Sequence, residues 1–299
     1  MKYLDYVNKL NIDLSGKIYI VTGANSGIGF ETCKYLLYLN ATVIMACRYL
    51  DKAENAIDEI RKEVETGEIV LLQYDQSDYS SIKNFANIIK TSYKIDGIVF
   101  NAGIYYPKVN ARTFDNLELT VGTNYFGQFM LFDELKKVID KKTRLVIVTS
   151  LTGYLSKEYR LEEIETLSRN LLYGYSKLLL AKEAYELNEL GYECILVHPG
   201  VCSTNILENK DTGLPNYFAR LGRAFLNIFT HPASKAALTS LLGLVCEYSP
   251  NLYIKPRGLF AISGYPVITK CPSKYNSSGL LEETRRYLTQ KVGNYVSGE

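Results

Sequence analysis

Two tyrosines and a lysine interrupt the leucine-rich stretch LLYGYSKLLL, residues 171–180. Tyr173 stands four residues before Lys177, and Tyr175 stands two before it. On a helix, residues four apart share a face, whereas Tyr175 points about 200° away from Tyr173. A phenol has a reference pKa near 10, so acid or base work near neutrality needs a fall of roughly 2–3 pH units, about 3–4 kcal/mol. A lysine cation about 4 Å away, at an effective dielectric near 20, supplies on the order of 4 kcal/mol. Tyr173 and Lys177 could therefore move a proton on or off a substrate oxygen, while Tyr175 packs. Taken alone, such a pair is common on solvated helices. The flanking leucines predict a buried setting in which the lysine charge counts.

A second cluster has different chemistry. VTGANSGIGFET (21–32) follows an apolar β-branched run and opens a helix-period segment. Its Gly23, Gly27 and Gly29 allow a tight turn, close approach of backbone to a pyrophosphate, and packing of a helix on a sheet. The helix N-terminus would offer free N–H groups and a partial positive charge to the phosphates. At the end of the next apolar run, ACRYL (46–50) has Cys47 and Arg48 where an NAD site carries an acid, and the nearest acid is Asp51. A guanidinium there would pair with a 2′-phosphate, so NADP(H) is expected over NAD(H).

These residues need elements to hold them. Apolar strands are expected at 17–22, 41–47, 68–75, 96–103, 144–150 and 193–200, with RGLFAIS (257–263) as a last strand. Helices are expected at 29–40 (Cys33, Leu36, Leu37 and Asn40 on one face), 51–64 (Ala53, Ile57 and Ile60 inward), 77–93, 115–139, 171–190 and 280–293. Strands apolar throughout, alternating with helices, predict an α/β Rossmann-type doubly wound parallel sheet of about seven strands with helices on both faces. At 299 residues, with no linker, repeat or low-complexity stretch, a single domain is expected. Its cofactor-binding part would span about 15–150 and its catalytic and substrate part about 150–299.

Composition excludes other classes. A net charge of +2 without a basic run argues against nucleic acid as a partner. No window of about 18 apolar residues exists, so no transmembrane helix is expected, and the N-terminus lacks the apolar core of a signal peptide. The six cysteines form no C-x-x-C pair and read as free thiols in a reducing cytoplasm. Two histidines make a histidine-based metal site improbable, and no G-x-S-x-G elbow supports a hydrolase. His198 is read as structural.

Taken together, the motifs resemble the classical short-chain dehydrogenase/reductase family. The resemblance rests on Thr22, Gly23, Gly27 and Gly29; on Asn101, Ala102 and Gly103; on Asn124 in TNYFGQF; on Ser150 in IVTSLTG; on Tyr173 and Lys177; and on Pro199, Gly200 and Thr204. They run in family order over about two-thirds of the chain, and ACR with the long Ser150-to-Tyr173 spacing looks most like the retinol dehydrogenase and protochlorophyllide reductase branch. The resemblance implies catalytic roles for Asn124, Ser150, Tyr173 and Lys177. Ser150 would hold the substrate oxygen; Asn124 would stabilise a backbone kink and a water relaying protons to Lys177. It implies cofactor contacts from Gly23, Asn25, Ser26, Gly27, Ile28 and Gly29, from Arg48, from Asp75 and Gln76, from Asn101 to Gly103, from Tyr173 and Lys177, and from Pro199, Gly200, Val201 and Thr204. Homodimers and homotetramers are common in the family.

The expected activity is NADP(H)-dependent hydride transfer between a carbonyl and an alcohol on a small, lipophilic substrate. Reduction of a conjugated C=C bond and a catalytically silent NADP-sensing regulator are the alternatives. The segment 154–172 and the region past 205 depart from the family pattern and leave the substrate open. An amphipathic stretch at 216–229, inside an expected lid at about 205–232, reads as a lid, a dimer surface or a membrane-surface anchor.

Overall fold

The computed structural model describes residues 1–105, 107–201, 231–293 and 295. Six of the seven expected strands form, and most of them stop short of their apolar runs. They are β1 (Ile18–Thr22), β2 (Thr42–Cys47), β3 (Glu68–Gln73), β4 (Gly97–Phe100), β5 (Arg144–Val148) and β6 (Cys194–Val197). The last four end two or three residues before the apolar stretch does. Asp75, Asn101, Ser150 and Pro199 thereby sit in loops beyond the carboxyl ends of strands, where open α/β sheets bind ligands.

The sheet has eight strands in the order β3-β2-β1-β4-β5-β6-β7-β8. The expected strand at 257–263 is not one. β7 (Leu252–Pro256) ends just before it, and β8 (Pro266–Lys270) returns antiparallel at the edge. Between them the Arg257 and Gly258 amides donate to the Tyr265 and Ser263 carbonyls, while Phe260 and Ala261 turn at φ 50° and 56°. That geometry is a tight loop, and proline at the start of an edge strand forfeits no central ladder bond. The sheet is therefore one strand larger than expected, and its last strand is not parallel.

Alternation along the strands feeds two cores. In β5, Leu145 and Ile147 enter one apolar cluster, and Val146 and Val148 enter the other. On one face lie α4 (Tyr79–Ser92), α6 (Gly127–Leu135) and α8 (Arg169–Glu189). On the other lie α2 (Gly27–Tyr38), α3 (Leu50–Arg61) and α9 (Ala233–Val245). A short α1 (Leu4–Lys9), which the sequence did not announce, buries Val7 in the second cluster. Cys33, Leu36 and Leu37 of α2 are buried as expected, but Asn40 is not on their face. It sits just past the helix at φ 69°, the left-handed stop that asparagine tolerates.

The helix expected at 115–139 is broken. α5 (Leu119–Val121) leads into a π-helical turn, Gly122–Phe126, and then into α6. Such wide turns mark functional sites often enough to direct attention to Asn124 at its centre. The C-terminal helix α10 (Leu280–Lys291) docks on α8: the Glu186 carboxylate accepts the Leu280 and Leu281 amides at 2.8 and 2.9 Å, capping it. The stretch 216–229 and Thr204 lie outside the described residues.

Glu183 of α8 is fully buried, with one oxygen taking the Gln128 amide at 3.1 Å and the other without a partner. Burial, opposed in part by the Gln128 hydrogen bond and reinforced by the neighbouring Glu186, holds its carboxyl well above the usual range. The folded chain then binds a proton that the unfolded chain has released, so this site's contribution is full below the unfolded value of about 4.3 and is lost as pH rises. Glu183→Gln keeps the acceptor for Gln128 and removes the titration. Its urea midpoint should exceed that of the parent chain above pH ~6, by a margin that widens with pH.

Candidate active site

The polar ties that build the site are short and run backbone to side chain. Thr22 Oγ1, at the end of β1, accepts the Asn101 and Ala102 amides at 3.0 and 2.9 Å. Asn101 Nδ2 returns a bond to the Thr22 carbonyl at 2.8 Å. The glycine turn and the N-A-G loop are thus one clasped unit. Gly29 lies under it: a Cβ there would stand 2.4 Å from the Gly23 carbonyl oxygen and 2.6 Å from Asn101 Nδ2, so no side chain fits. Gln76 closes the same unit from the loop after β3, its Nε2 donating to the Thr123 and Ala102 carbonyls at 2.7 and 3.2 Å. Asp75 accepts the Ser77 amide and hydroxyl at 2.9 and 2.7 Å.

Asn124 projects from the π-helical turn and is fully buried. Its Oδ1 accepts the Ile104 amide at 2.7 Å, and its Nδ2 donates to the Ile104 carbonyl at 3.0 Å and to Ser176 Oγ at 3.1 Å. The side chain therefore joins the loop after β4 to α8. A Cβ on Gly103 would lie 3.2 Å from Asn124 Oδ1 and 3.7 Å from Lys177 Nζ, which places amide and ammonium around one point.

Ser150 and the α8 pair come from segments more than 20 residues apart. α7 (Leu151–Leu155) brings them together, with Ser150 as its N-cap accepting the Thr152 amide at 3.3 Å. A Cβ at Gly153 would meet the Lys177 backbone at 2.8 Å, so α7 can lie on α8 only because this position has no side chain. Thr149 Oγ1 donates to the Lys177 carbonyl at 2.8 Å and fixes the same contact. On α8, Tyr173 is half-buried at the cleft, whereas Tyr175 is buried on the other side with its hydroxyl donating to the Tyr159 carbonyl at 2.6 Å. Lys177 is buried, donates to the Val148 carbonyl at 2.9 Å, and is brought down to about 8 by burial.

One cleft of about 710 Å³ runs past these groups. Gly23, Asn25, Ser26, Gly27 and Ile28 line one end, with Arg48, Asp75 and Gln76. Asn101 to Gly103 line the middle. Ser150, Tyr173, Lys177, Pro199, Gly200 and Val201 line the other end. Gly29 and Asn124 stand behind the wall that they shape, and Thr204 lies outside the described residues. His198, at the end of β6, is buried, and burial brings it down to about 4, so it stays neutral.

Gly27 and Ile28 line the cleft at the start of α2, where the first amides have no carbonyl one turn earlier within the helix and suit a phosphate. Arg48 lies 4.5 Å over the Tyr49 ring, and Lys52 lies 5.1 Å from the same ring. Among the described residues that line the cleft, Asp75 is the single carboxylate. The residues present fit a nicotinamide dinucleotide: a glycine turn at a helix start, two cations beyond β2, and Ser150, Tyr173 and Lys177 at the far end.

Residues 17–214 match the family model for the short chain dehydrogenase. The chain belongs to the short-chain dehydrogenase/reductase family. Within it the chain falls in the retinol dehydrogenase-like branch. It is 31% identical over 267 residues to human retinol dehydrogenase 12, covering 84% of each chain. It is 32% identical to the short-chain dehydrogenase/reductase drtF of Aspergillus calidoustus, over 87% of this chain and 88% of that one. An uncharacterised protein of Mycobacterium paratuberculosis superimposes with a TM-score of 0.73 at 25% identity, covering 94% and 95% of the two chains. Family members of this kind are oxidoreductases that take a nicotinamide cofactor.

Lys52, Tyr49, Gly153 and Tyr105 are among the residues of this site that the motifs did not mark. Lys52 was legible as a cation one helical turn after Arg48. Tyr49, between them in space, had no signal beyond its type. Gly153 stood in the quoted IVTSLTG without a role, and Tyr105 followed the N-A-G motif unread. Gly153→Ala tests the packing account. It should lower the urea-unfolding stability by about 1–3 kcal/mol through overpacking and reduce turnover more than nicotinamide binding. An unchanged stability would show that α7 yields freely.

Proposed function

We propose that this short-chain dehydrogenase/reductase is NADP(H)-dependent and interconverts a lipophilic carbonyl and its alcohol, with Tyr173 as general acid and base. The observation that carries the proposal is the meeting of Ser150, Tyr173 and Lys177 at one end of the cleft whose other end holds Arg48 and Lys52. When bound, the nicotinamide supplies the hydride in reduction and takes it in oxidation. The chain's residues do the rest. Ser150 Oγ holds the substrate oxygen, and the Tyr173 hydroxyl gives it a proton in reduction.

Lys177 acts on that hydroxyl by charge. Its cation favours the phenolate that remains after proton transfer. Burial has brought Lys177 down to about 8, so the cation is present below that pH and is lost above it. Asn124 spends its amide on Ile104 and Ser176, so its part is to fix the frame around Lys177. Arg48 and Lys52 would pair with a 2′-phosphate, while Asp75, engaged with Ser77, stays clear of it.

The substrate end is apolar. Leu151 and Leu155 line it, and Leu155 is 70% exposed. The relatives named for retinol support a lipophilic alcohol or aldehyde. The described cysteines are free thiols, which suits a reducing compartment such as the cytoplasm. Among the described residues no helix is long and apolar enough to cross a membrane.

The test couples a cofactor assay to a substrate screen. The chain should oxidise NADPH with at least one of a panel of aldehydes, ketones, quinones and enones. Tyr173→Phe should still bind NADPH but lose turnover. NADPH should bind more tightly than NADH, and Arg48→Ala should erode that preference by about 10- to 100-fold, the worth of a charged hydrogen-bond pair. Turnover surviving in Tyr173→Phe contradicts the acid/base assignment. Equal affinity for the two cofactors contradicts the NADP(H) assignment.

A further inference from the structure

We infer that Tyr105 is a positioning residue for the proton donor Tyr173, a role that rests on the function proposed above. The two rings meet edge to face, with centroids 4.8 Å apart and planes at 89°. Lys177 Nζ stands 5.9 Å from the centroid of the Tyr173 ring. Tyr173 is half-buried, and an aromatic side chain at a cleft edge has more than one rotamer open to it. An edge-to-face partner biases that choice roughly 2- to 10-fold.

Tyr105 can hold a neighbour only if its own backbone is held. Asn124 does this one residue upstream, by taking the amide and the carbonyl of Ile104 at 2.7 and 3.0 Å. The same Asn124 donates to Ser176 Oγ, and Ser176 Oγ donates to the Tyr173 carbonyl at 2.8 Å. The contacts close a ring: Tyr105, Ile104, Asn124, Ser176, Tyr173 and back to Tyr105. The loop that bears one tyrosine is thus fixed to the helix that bears the other. Tyr105 also lines the cleft beside Tyr173, so the contact is made where substrate would approach.

Two substitutions separate ring from hydroxyl. Tyr105→Ala should lower kcat by up to about 10-fold, the bias that the ring contact supplies, and leave the NADPH dissociation constant within about 2-fold. Tyr105→Phe, which keeps the ring, should restore kcat to within about 3-fold of the parent. A second readout needs no turnover: 3-fluorotyrosine placed at position 173 and followed by ¹⁹F NMR. Its resonance should move and broaden in Tyr105→Ala and stay in place in Tyr105→Phe.

An unchanged kcat with an unchanged ¹⁹F resonance in Tyr105→Ala overturns the inference, as does a Tyr105→Phe variant as impaired as Tyr105→Ala. The parent reading fails separately. If the chain reduces no carbonyl while the ¹⁹F resonance responds to Tyr105→Ala, the positioning stands and the proposed reaction does not.

Discussion

Lys177 carries an ammonium group where water scarcely reaches, and the cost of keeping it there shapes the site. An ion taken from water into a protein interior loses several kcal/mol of solvation unless it is met by dipoles. Here the Val148 carbonyl, 2.9 Å away, is the contact that meets it. The deficit shows as a value brought down to about 8. A cation so poorly solvated exerts its charge on whatever stands beside it, because little water is present to screen it. Tyr173, one turn earlier on the same helix, is what stands there.

The surrounding structure holds this arrangement by close approach and by bonds to backbone. Gly153 lets α7 rest on the Lys177 backbone and carry Ser150 into place. Gly29 lets α2 rest on the clasp between Thr22 and Asn101. Gln76 spends its amide on the Ala102 and Thr123 carbonyls, and Asn124 spends its own on the Ile104 backbone and Ser176 Oγ. None of these contacts relies on a surface ion pair, which contributes little and weakens with salt. The apolar cores on both sheet faces supply the stability against which a buried cation and the buried, half-satisfied Glu183 are tolerated.

Much of this was legible in the chain. β-branched runs separated by helix-period segments announced the sheet, and the ordered motifs announced which strand ends converge. Tyr173 and Tyr175 could be told apart by helix geometry alone. What was not legible depended on contacts between distant segments. The family resemblance implied a backbone kink at Asn124, but the extent of the break, Gly122–Phe126, appears in no local pattern, because Asn124 ties it to the distant Ile104 and Ser176. The strand expected at 257–263 failed because apolar content resembles a strand until Gly258, Gly264 and Pro266 are weighed as turn residues. Asn40 keeps the helical spacing of Cys33, Leu36 and Leu37 in sequence, yet the helix ends at Tyr38 and the left-handed Asn40 leaves their face. Tyr105 and Gly153 matter through the side chains that they face, which no spacing rule reports.

On the proposed mechanism a buried Lys177 cation sustains proton transfer by Tyr173. Its most direct test is the pH dependence of kcat/KM for NADPH, which reports the titrating groups of the ligand-free enzyme. Coupling between the pair means that the observed value belongs to both groups together. Reduction should fall as pH rises through about 8. A rate that holds constant up to the ordinary lysine value of about 10.4 would contradict it.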